Sequence, residues 1–277
     1  VGGGRTRTLA AAVLAALLGG GALCLAEESR GPAPADPPHQ EVQDDQPVQG
    51  GADRTFRVEL RREFTDRGTP DETTKTTIKL TDYFKGIVSQ LRLDVPFPDA
   101  QTDFGGSITE PRLGDIKVRA TFHDIRAGSL ALSTFLEMTF PTANPEDLGT
   151  GKYQLSAGVR TVAPLSPADA SHRFTLRPLV QQYVSVAGDP DAKDIDNTRL
   201  QAGLRDTWKK KAWLGATIKA TVDWVQGGAT GAVGELEAGA FLGRGLSLWT
   251  IAGARLWGGS VPGTYGRRVT IAMAGDF

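Results

Sequence analysis

One cysteine, Cys24, and three histidines, His39, His123 and His172, are all that 277 residues offer to disulfide or zinc chemistry. A lone thiol closes no internal disulfide, and ligands so far apart form no clustered zinc motif. No surplus of either charge exists: 31 Lys plus Arg stand against 32 Asp plus Glu, a formal charge of −1, which argues against a nucleic-acid partner. Apolar runs approaching the ~20 residues of a membrane-spanning helix are missing after residue 26, which excludes a polytopic helical membrane protein. A membrane β-barrel stays open, because its strands alternate polar with apolar residues. Nothing in the pattern calls for a cofactor or a metal. What is present, 40% apolar residues with 34 Gly and 16 Pro, suits a folded chain, and the length suits one large all-β domain as well as two small ones.

The first 26 residues read as a signal peptide. Arg5 and Arg7 precede the apolar stretch from Leu9 to Leu18, three glycines follow, and Cys24-Leu25-Ala26 places small residues at −3 and −1 before Glu27. An uncleaved signal anchor and a lipidated Cys24 are the alternatives; Leu23, where a lipobox wants a small residue, argues against the second. Residues 27–53 form an acidic, proline-rich tail expected to be disordered, with Pro32, Pro34, Pro37, Pro38 and Pro47 among Glu27, Glu28, Asp36, Glu41, Asp44, Asp45 and Asp53. Such a segment has too little to bury to offset its ordering entropy. The remainder, 54–277, carries 28 basic and 25 acidic residues.

From residue 54 onward nearly every segment alternates with period two. In 212–226, Leu214, Ala216, Ile218, Ala220, Val222 and Trp224 share one face, and Thr217, Lys219, Thr221 and Asp223 the other. The pattern predicts twelve strands near 54–64, 73–82, 87–97, 114–124, 129–141, 151–162, 172–186, 197–208, 212–226, 232–243, 245–257 and 266–277. Most have the length that crosses a bilayer when tilted, and an even count suits a bacterial barrel. With the first strand running outward, the periplasmic turns are mostly short and the outer loops mostly longer, the asymmetry of outer-membrane barrels. The turn at Ile125 to Gly128 belongs to the short set, and Pro178, which lacks an N–H, predicts a bulge or break within its strand. Trp208 and Trp213 flank a periplasmic turn and Trp224 and Trp257 lie at outer strand ends, where aromatic girdles belong.

The fold class predicted is therefore all-β: a transmembrane, antiparallel, up-and-down barrel of about twelve strands in the outer membrane of a Gram-negative bacterium. Phe277 closes a period-two strand, with Val269, Ile271, Met273 and Gly275 on its face. It resembles the closing strand that the barrel-assembly machinery of such bacteria reads, which implies that machinery and outer-membrane lipid as partners.

Gly114-Asp115-Ile116-Lys117-Val118-Arg119, then Phe140-Pro141-Thr142, then Leu148-Gly149-Thr150-Gly151 resembles the MetA-pathway-of-phenol-degradation group of outer-membrane transporters. The likeness runs over about Thr73 to Phe277 and is densest between 114 and 160. It implies a porin-like barrel that passes small molecules, and it brings no catalytic residues.

In a barrel the charged face must point inward, since a cation at the bilayer midplane costs about 2–4 kcal/mol on the lipid face. The inward cations are Arg57, Arg61, Lys75, Lys79, Arg92, Lys117, Arg119, Lys152, Arg160, Arg173, Arg177, Arg199, Arg205, Lys219 and Arg268. Facing them are Glu59, Asp94, Asp115, Glu137, Asp223, Glu235, Glu237 and Asp276. Strand 245–257 resists sorting, because placing Arg255 inside also places Trp249, Ile251 and Trp257 there. Pore lining is assigned to Arg119, Arg160, Arg173, Arg177, Arg205, Lys117, Lys219, Glu137, Asp223, Glu235 and Glu237, with the first five supplying most of an anion-attracting field. The function expected is a channel for passive passage of small, anionic or aromatic organic solutes. The alternatives are a filled, non-conducting structural or adhesive barrel and, less well supported, a membrane-embedded hydrolase. No enzyme is expected: no nucleophile stands two residues from His172, and Ser171 beside it would point to the opposite face. Asp189, Asp191, Asp194 and Asp196 lack the order of a calcium loop and read as a solvated acidic loop.

Overall fold

The structure, a computed structural model, describes residues 56–277 apart from 70–71, 100–111, 128–129, 145–147, 168–169, 210, 244 and 260. The signal peptide and acidic tail, 1–53, lie outside the described residues.

Fourteen strands follow one another: β1 (Phe56–Thr65), β2 (Thr73–Tyr83), β3 (Val88–Pro98), β4 (Ile116–Phe122), β5 (Ile125–Ala127), β6 (Leu130–Phe140), β7 (Lys152–Thr161), β8 (Ala163–Pro164), β9 (His172–Gly188), β10 (Asp196–Trp208), β11 (Ala212–Asp223), β12 (Ala229–Gly243), β13 (Leu246–Trp257) and β14 (Arg267–Asp276). β4 and β5 both pair with β6, and β7 and β8 both pair with β9, so the fourteen segments make twelve staves. All pairings are antiparallel, and β1 joins β14 from Arg57↔Asp276 to Thr65↔Arg268, closing the sheet on itself. Closure leaves no open edge. Short connections gather at one end and longer ones at the other, as the turn chemistry predicts.

Alternation fixes the two surfaces. Along β1, Arg57, Glu59, Arg61 and Glu63 are buried in the interior, while Leu60 is exposed on the outer face. The same parity exposes Leu136, Leu155, Leu204, Ile218, Leu236 and Ile271 outward, so an apolar belt surrounds a charged interior. That inversion of the usual soluble arrangement is the arrangement of a transmembrane barrel.

Three local expectations are corrected, and one open assignment is filled. The stave ending at 124 continues past a kink at His123 and Asp124 into β5, because Ile125 and Ala127 keep pairing with Leu132 and Leu130. β9 runs unbroken through Pro178, which pairs with Ala202. The interruption falls instead on its other neighbour, between Thr161 and Ala163, beside the position where Pro178 has no N–H to donate. Trp213 is not a girdle residue: it shares the parity of Lys219 and points inward, 2% exposed. Trp208, Trp224 and Trp257 are exposed, as girdle residues are. In β13 the parity of Trp249 and Ile251 runs on in register to Arg255, which pairs with Val233, and a register shift then sets Trp257 opposite Ala232; Trp249 and Ile251 are buried, while Arg255, near the strand's end, is exposed.

The interior is not purely polar. Trp213, Trp249, Ile251, Ala272 and Ala274 cluster with Phe241, and Phe135, Leu179 and Tyr183 cluster with Ile195. Two of the large rings lie over a glycine on the adjacent strand. Gly158 pairs with Phe135 and Gly239 with Trp213, and a methyl group at either glycine would overlap the ring. The residues of a pleated strand contribute bulk there only because the neighbour contributes none.

Candidate functional site: the charged lumen

Every pore-lining residue expected from the sequence sits on the inward parity of its strand. What the structure adds is their partners. On β1 to β6 the charges form a lattice: Glu59 takes Lys79 at 2.9 Å and Arg61 at 3.0 Å, Arg92 reaches Asp94 at 2.9 Å and Glu137 at 3.4 Å, and Arg119 meets Glu137 at 2.7 Å. Arg119 also lies over the Phe135 ring, 4.4 Å from its centroid. A guanidinium so placed is stiff and largely neutralised, and adds little to the field seen by a solute.

A second group joins the seam of the barrel. Arg268 pairs with Glu235 at 2.6 Å and stacks on Tyr265 at 4.1 Å, while Lys219 holds the other Glu235 oxygen at 2.8 Å and the Tyr265 hydroxyl donates to Glu235 at 2.6 Å. Tyr265, Val261 and Thr264 belong to the connection between β13 and β14 and are buried, so this loop folds inward at the mouth. Glu63, buried against Lys75 at 2.9 Å, is an inward acid missed in sequence, although it shares the parity of Glu59 and Arg61. Arg205 donates to Glu237 at 2.5 Å, and the Trp213 indole N–H donates to the same oxygen.

Two inward acids, Asp223 of the pore-lining set and Asp115, also hold loops. Asp223 accepts from the N–H groups of Val225 at 3.0 Å and Gln226 at 3.4 Å and from the Gln226 side chain at 2.7 Å, capping the turn after β11. Asp115 accepts from the Thr150 N–H at 2.7 Å, the Thr150 hydroxyl at 2.8 Å and the Ala143 N–H at 3.3 Å. Thr142 completes this knot, donating to the Gly114 carbonyl at 3.1 Å and accepting from the Ile116 N–H at 3.0 Å. The Gly-Asp, Phe-Pro-Thr and Gly-Thr-Gly segments, far apart in sequence, thus meet at one rim. Replacing Asp115 with Ala is expected to strip three hydrogen bonds and cost about 2–3 kcal/mol locally. Limited proteolysis checks it: faster cleavage within 141–151 than in the parent is the expected result, and unchanged cleavage refutes the knot.

The contrasting sector is β7, β9 and β10. Among the described residues their inward faces carry Lys152, Arg160, Arg173, Arg177, Arg199 and Arg205 and no Asp or Glu. Lys152 reaches out to the loop residue Asp194 at 3.0 Å, and its ammonium holds that carboxyl below the usual carboxylate range. Arg160 donates to Gln90 at 3.4 Å, and Arg199 lies over Tyr183, 5.1 Å from its ring centroid.

Elsewhere, His172 contacts Asp206 at 2.9 Å near the short-turn end, and the Trp208 indole donates to the same carboxylate at 2.5 Å. Among the described residues no hydroxyl hydrogen-bonds the His172 ring; the Ser166 hydroxyl is engaged by the His172 carbonyl and the Phe174 N–H. Among the described residues no cluster of His, Cys, Asp and Glu could hold a metal ion. Asp189 turns back to cap the Asp191 N–H at 2.9 Å, and Asp196 accepts from Gln182 at 2.6 Å.

The chain matches no protein-family model and no curated protein sequence, so the resemblance of residues 114–151 is one of motif alone. Solved structures do match. The COG4313 outer membrane channel from Pseudomonas putida F1 is similar at a TM-score of 0.60 and 13% identity, over 85% of this chain and 100% of that one. The KdgM porin, solved in complex with disordered oligogalacturonate, is similar at 0.56 and 10% identity, over 80% of this chain and 99% of its own. The NanC porin follows at 0.54 and 7%, over 79% and 100%. At such identities the likeness is one of fold: a closed, twelve-stave, antiparallel barrel of the outer-membrane kind. These neighbours are channels and porins rather than enzymes.

Proposed function

We propose that this chain is a porin-like channel of a Gram-negative outer membrane, passing small anionic solutes, aromatic and other organic anions among them, by diffusion. One observation carries the reading: three contiguous staves, β7, β9 and β10, turn cations and no acid toward the lumen among the described residues. An arginine stays charged at any working pH, so this field does not titrate away. In a narrow barrel a permeating ion stays within a Debye length of the wall, about 8–10 Å near physiological salt, so screening does not erase the preference. Export by residues 1–26 would bring the chain to that membrane. Phe277 would then be the assembly signal: it lies exposed on the outer face and exchanges backbone hydrogen bonds with Phe56, at 2.8 and 3.3 Å.

A second reading has its own support. The inward charges of β1 to β6 are nearly all buried and matched, as in a filled barrel whose ion pairs serve only stability. Reversal potentials across a planar bilayer under a KCl gradient separate the two. Anion selectivity is expected, weakened when Arg160 and Arg177 are both replaced by Gln. Replacing Arg119 should change it little, because Glu137 already offsets that charge. Cation selectivity, or no conductance from correctly inserted protein, hands the case to the structural barrel.

A further inference from the structure

The register places five arginines on successive levels of one wall. Arg173 and Arg177 belong to β9 itself; Arg205 pairs with Thr175, Arg160 with Leu179 and Arg199 with Gln181. Counted along β9, the inward positions 173, 175, 177, 179 and 181 therefore each carry one guanidinium, drawn in turn from β9, β10, β9, β7 and β10. Two residues of strand rise by about 6.8 Å, so the series spans about 27 Å along β9. Among the described residues nothing comparable exists across the lumen, where Glu59, Glu63, Glu137, Glu235 and Glu237 interrupt the cations at short range.

We propose that these five levels form a binding track for extended oligo-anions, linear molecules carrying three or more carboxylates or like groups spaced about 7 Å apart. The proposal rests on the channel reading only in that solute must reach the lumen. A monovalent anion meets one level at a time and gains little over its neighbours. A chain with matched spacing meets several levels together, so each further charge adds to affinity without a fresh cost in translational freedom. Guanidinium groups suit the task because their flat forks bind carboxylates in a fixed geometry and hold their charge. Some of the contacts these arginines make are ones an anion can displace or share. Arg160 rests on a neutral amide, Arg199 on a phenol ring, and Arg160 and Arg173 are only half-buried. Arg205, tied to Glu237, is the level at which an entering chain meets most competition.

The spacing itself can be tested, because an extended peptide repeats every second side chain at the same ~6.8 Å. Capped (Glu-Gly)n peptides with n from one to five are titrated calorimetrically into the folded protein in detergent at low salt, beside peptides of equal charge with their glutamates clustered. Affinity is expected to rise about two- to fivefold with each added glutamate, and the alternating peptides should outbind the clustered ones. Arg160→Gln with Arg177→Gln should abolish the length dependence, and Arg160→Lys with Arg177→Lys should restore part of it, which excludes misfolding as the cause. Affinity that ignores length or spacing overturns the track even where KCl reversal shows anion preference. Length-dependent binding by protein that does not conduct keeps the track and overturns only the channel.

Discussion

Glu137→Gln is expected to destabilise the barrel by about 3–5 kcal/mol, the usual result of stranding a buried charge. Glu137 is 2% exposed and accepts from Arg119 Nε at 2.8 Å, and it also pairs with Arg119 Nη2 at 2.7 Å and Arg92 Nη2 at 3.4 Å. Arg92 keeps Asp94 when the carboxylate goes; among its contacts Arg119 retains the face of Phe135, which compensates far less than the carboxylate oxygen that takes both its Nε and its Nη2. Replacing both members, Arg119→Met with Glu137→Met, should recover most of the loss, because the pair then leaves no charge behind. The double-mutant cycle is read from urea midpoints of protein refolded in lipid vesicles. A single mutant within 1 kcal/mol of the parent, or additive effects in the double mutant, would show that water in the lumen already satisfies Arg119.

Most of the architecture was legible because two constraints act on every strand at once. A lipid-facing residue must be apolar and an inward one may be charged, so parity alone assigns Leu214, Ile218 and Val222 against Lys219 and Asp223. Where those constraints relax, the reading misplaced Trp213 and left Trp249 and Phe135 without a face. Trp213, Phe135 and Trp249 obey parity and point inward, yet they look like lipid-facing residues because an aromatic is acceptable on either side. The signal that could have found them is the glycine opposite. Gly158 and Gly239 stand on the inward parity of their strands, and an inward glycine in a long strand marks close approach by a neighbour.

The charged residues divide for a similar reason. Sequence gives the face of an acid but not its depth, and depth decides its job. Glu235 and Glu237, on inner turns of the strand, hold lumenal cations, whereas Asp223 and Asp115 stand at strand ends and collect loop N–H groups. An Asp at a strand end reads as a turn cap, and that chemistry was available from the sequence. The arginine levels could not be read beforehand, because they depend on pairings such as Arg160↔Leu179 and Arg205↔Thr175, which no single strand reveals.

Gly239→Val is the sharper test of the interior, because strand propensity and packing predict opposite signs. In an ordinary strand, valine in place of glycine removes backbone entropy from the unfolded chain and adds a favourable β-branched side chain. At 239 the new side chain would enter the space of the Trp213 ring, which is 2% exposed, 4.7 Å from Phe241 and 6.3 Å from Trp249 between centroids. Trp213 must then leave, giving up its cluster and its hydrogen bond to Glu237. The expected cost is about 3–5 kcal/mol, that of losing a buried tryptophan. On unboiled gels the variant should lose the fast-migrating folded band at a lower temperature than the parent. Gly234→Val supplies the control on the same strand: that glycine faces outward, its nearest neighbour would be Leu256 at 3.4 Å, and only a small shift is expected. Trp213→Ala combined with Gly239→Val should recover part of the loss, since the valine then fills space the indole has vacated. Equal behaviour of the two valine variants, or no recovery in the combination, would mean that the ring finds another place in the lumen and that the glycine beneath it is incidental.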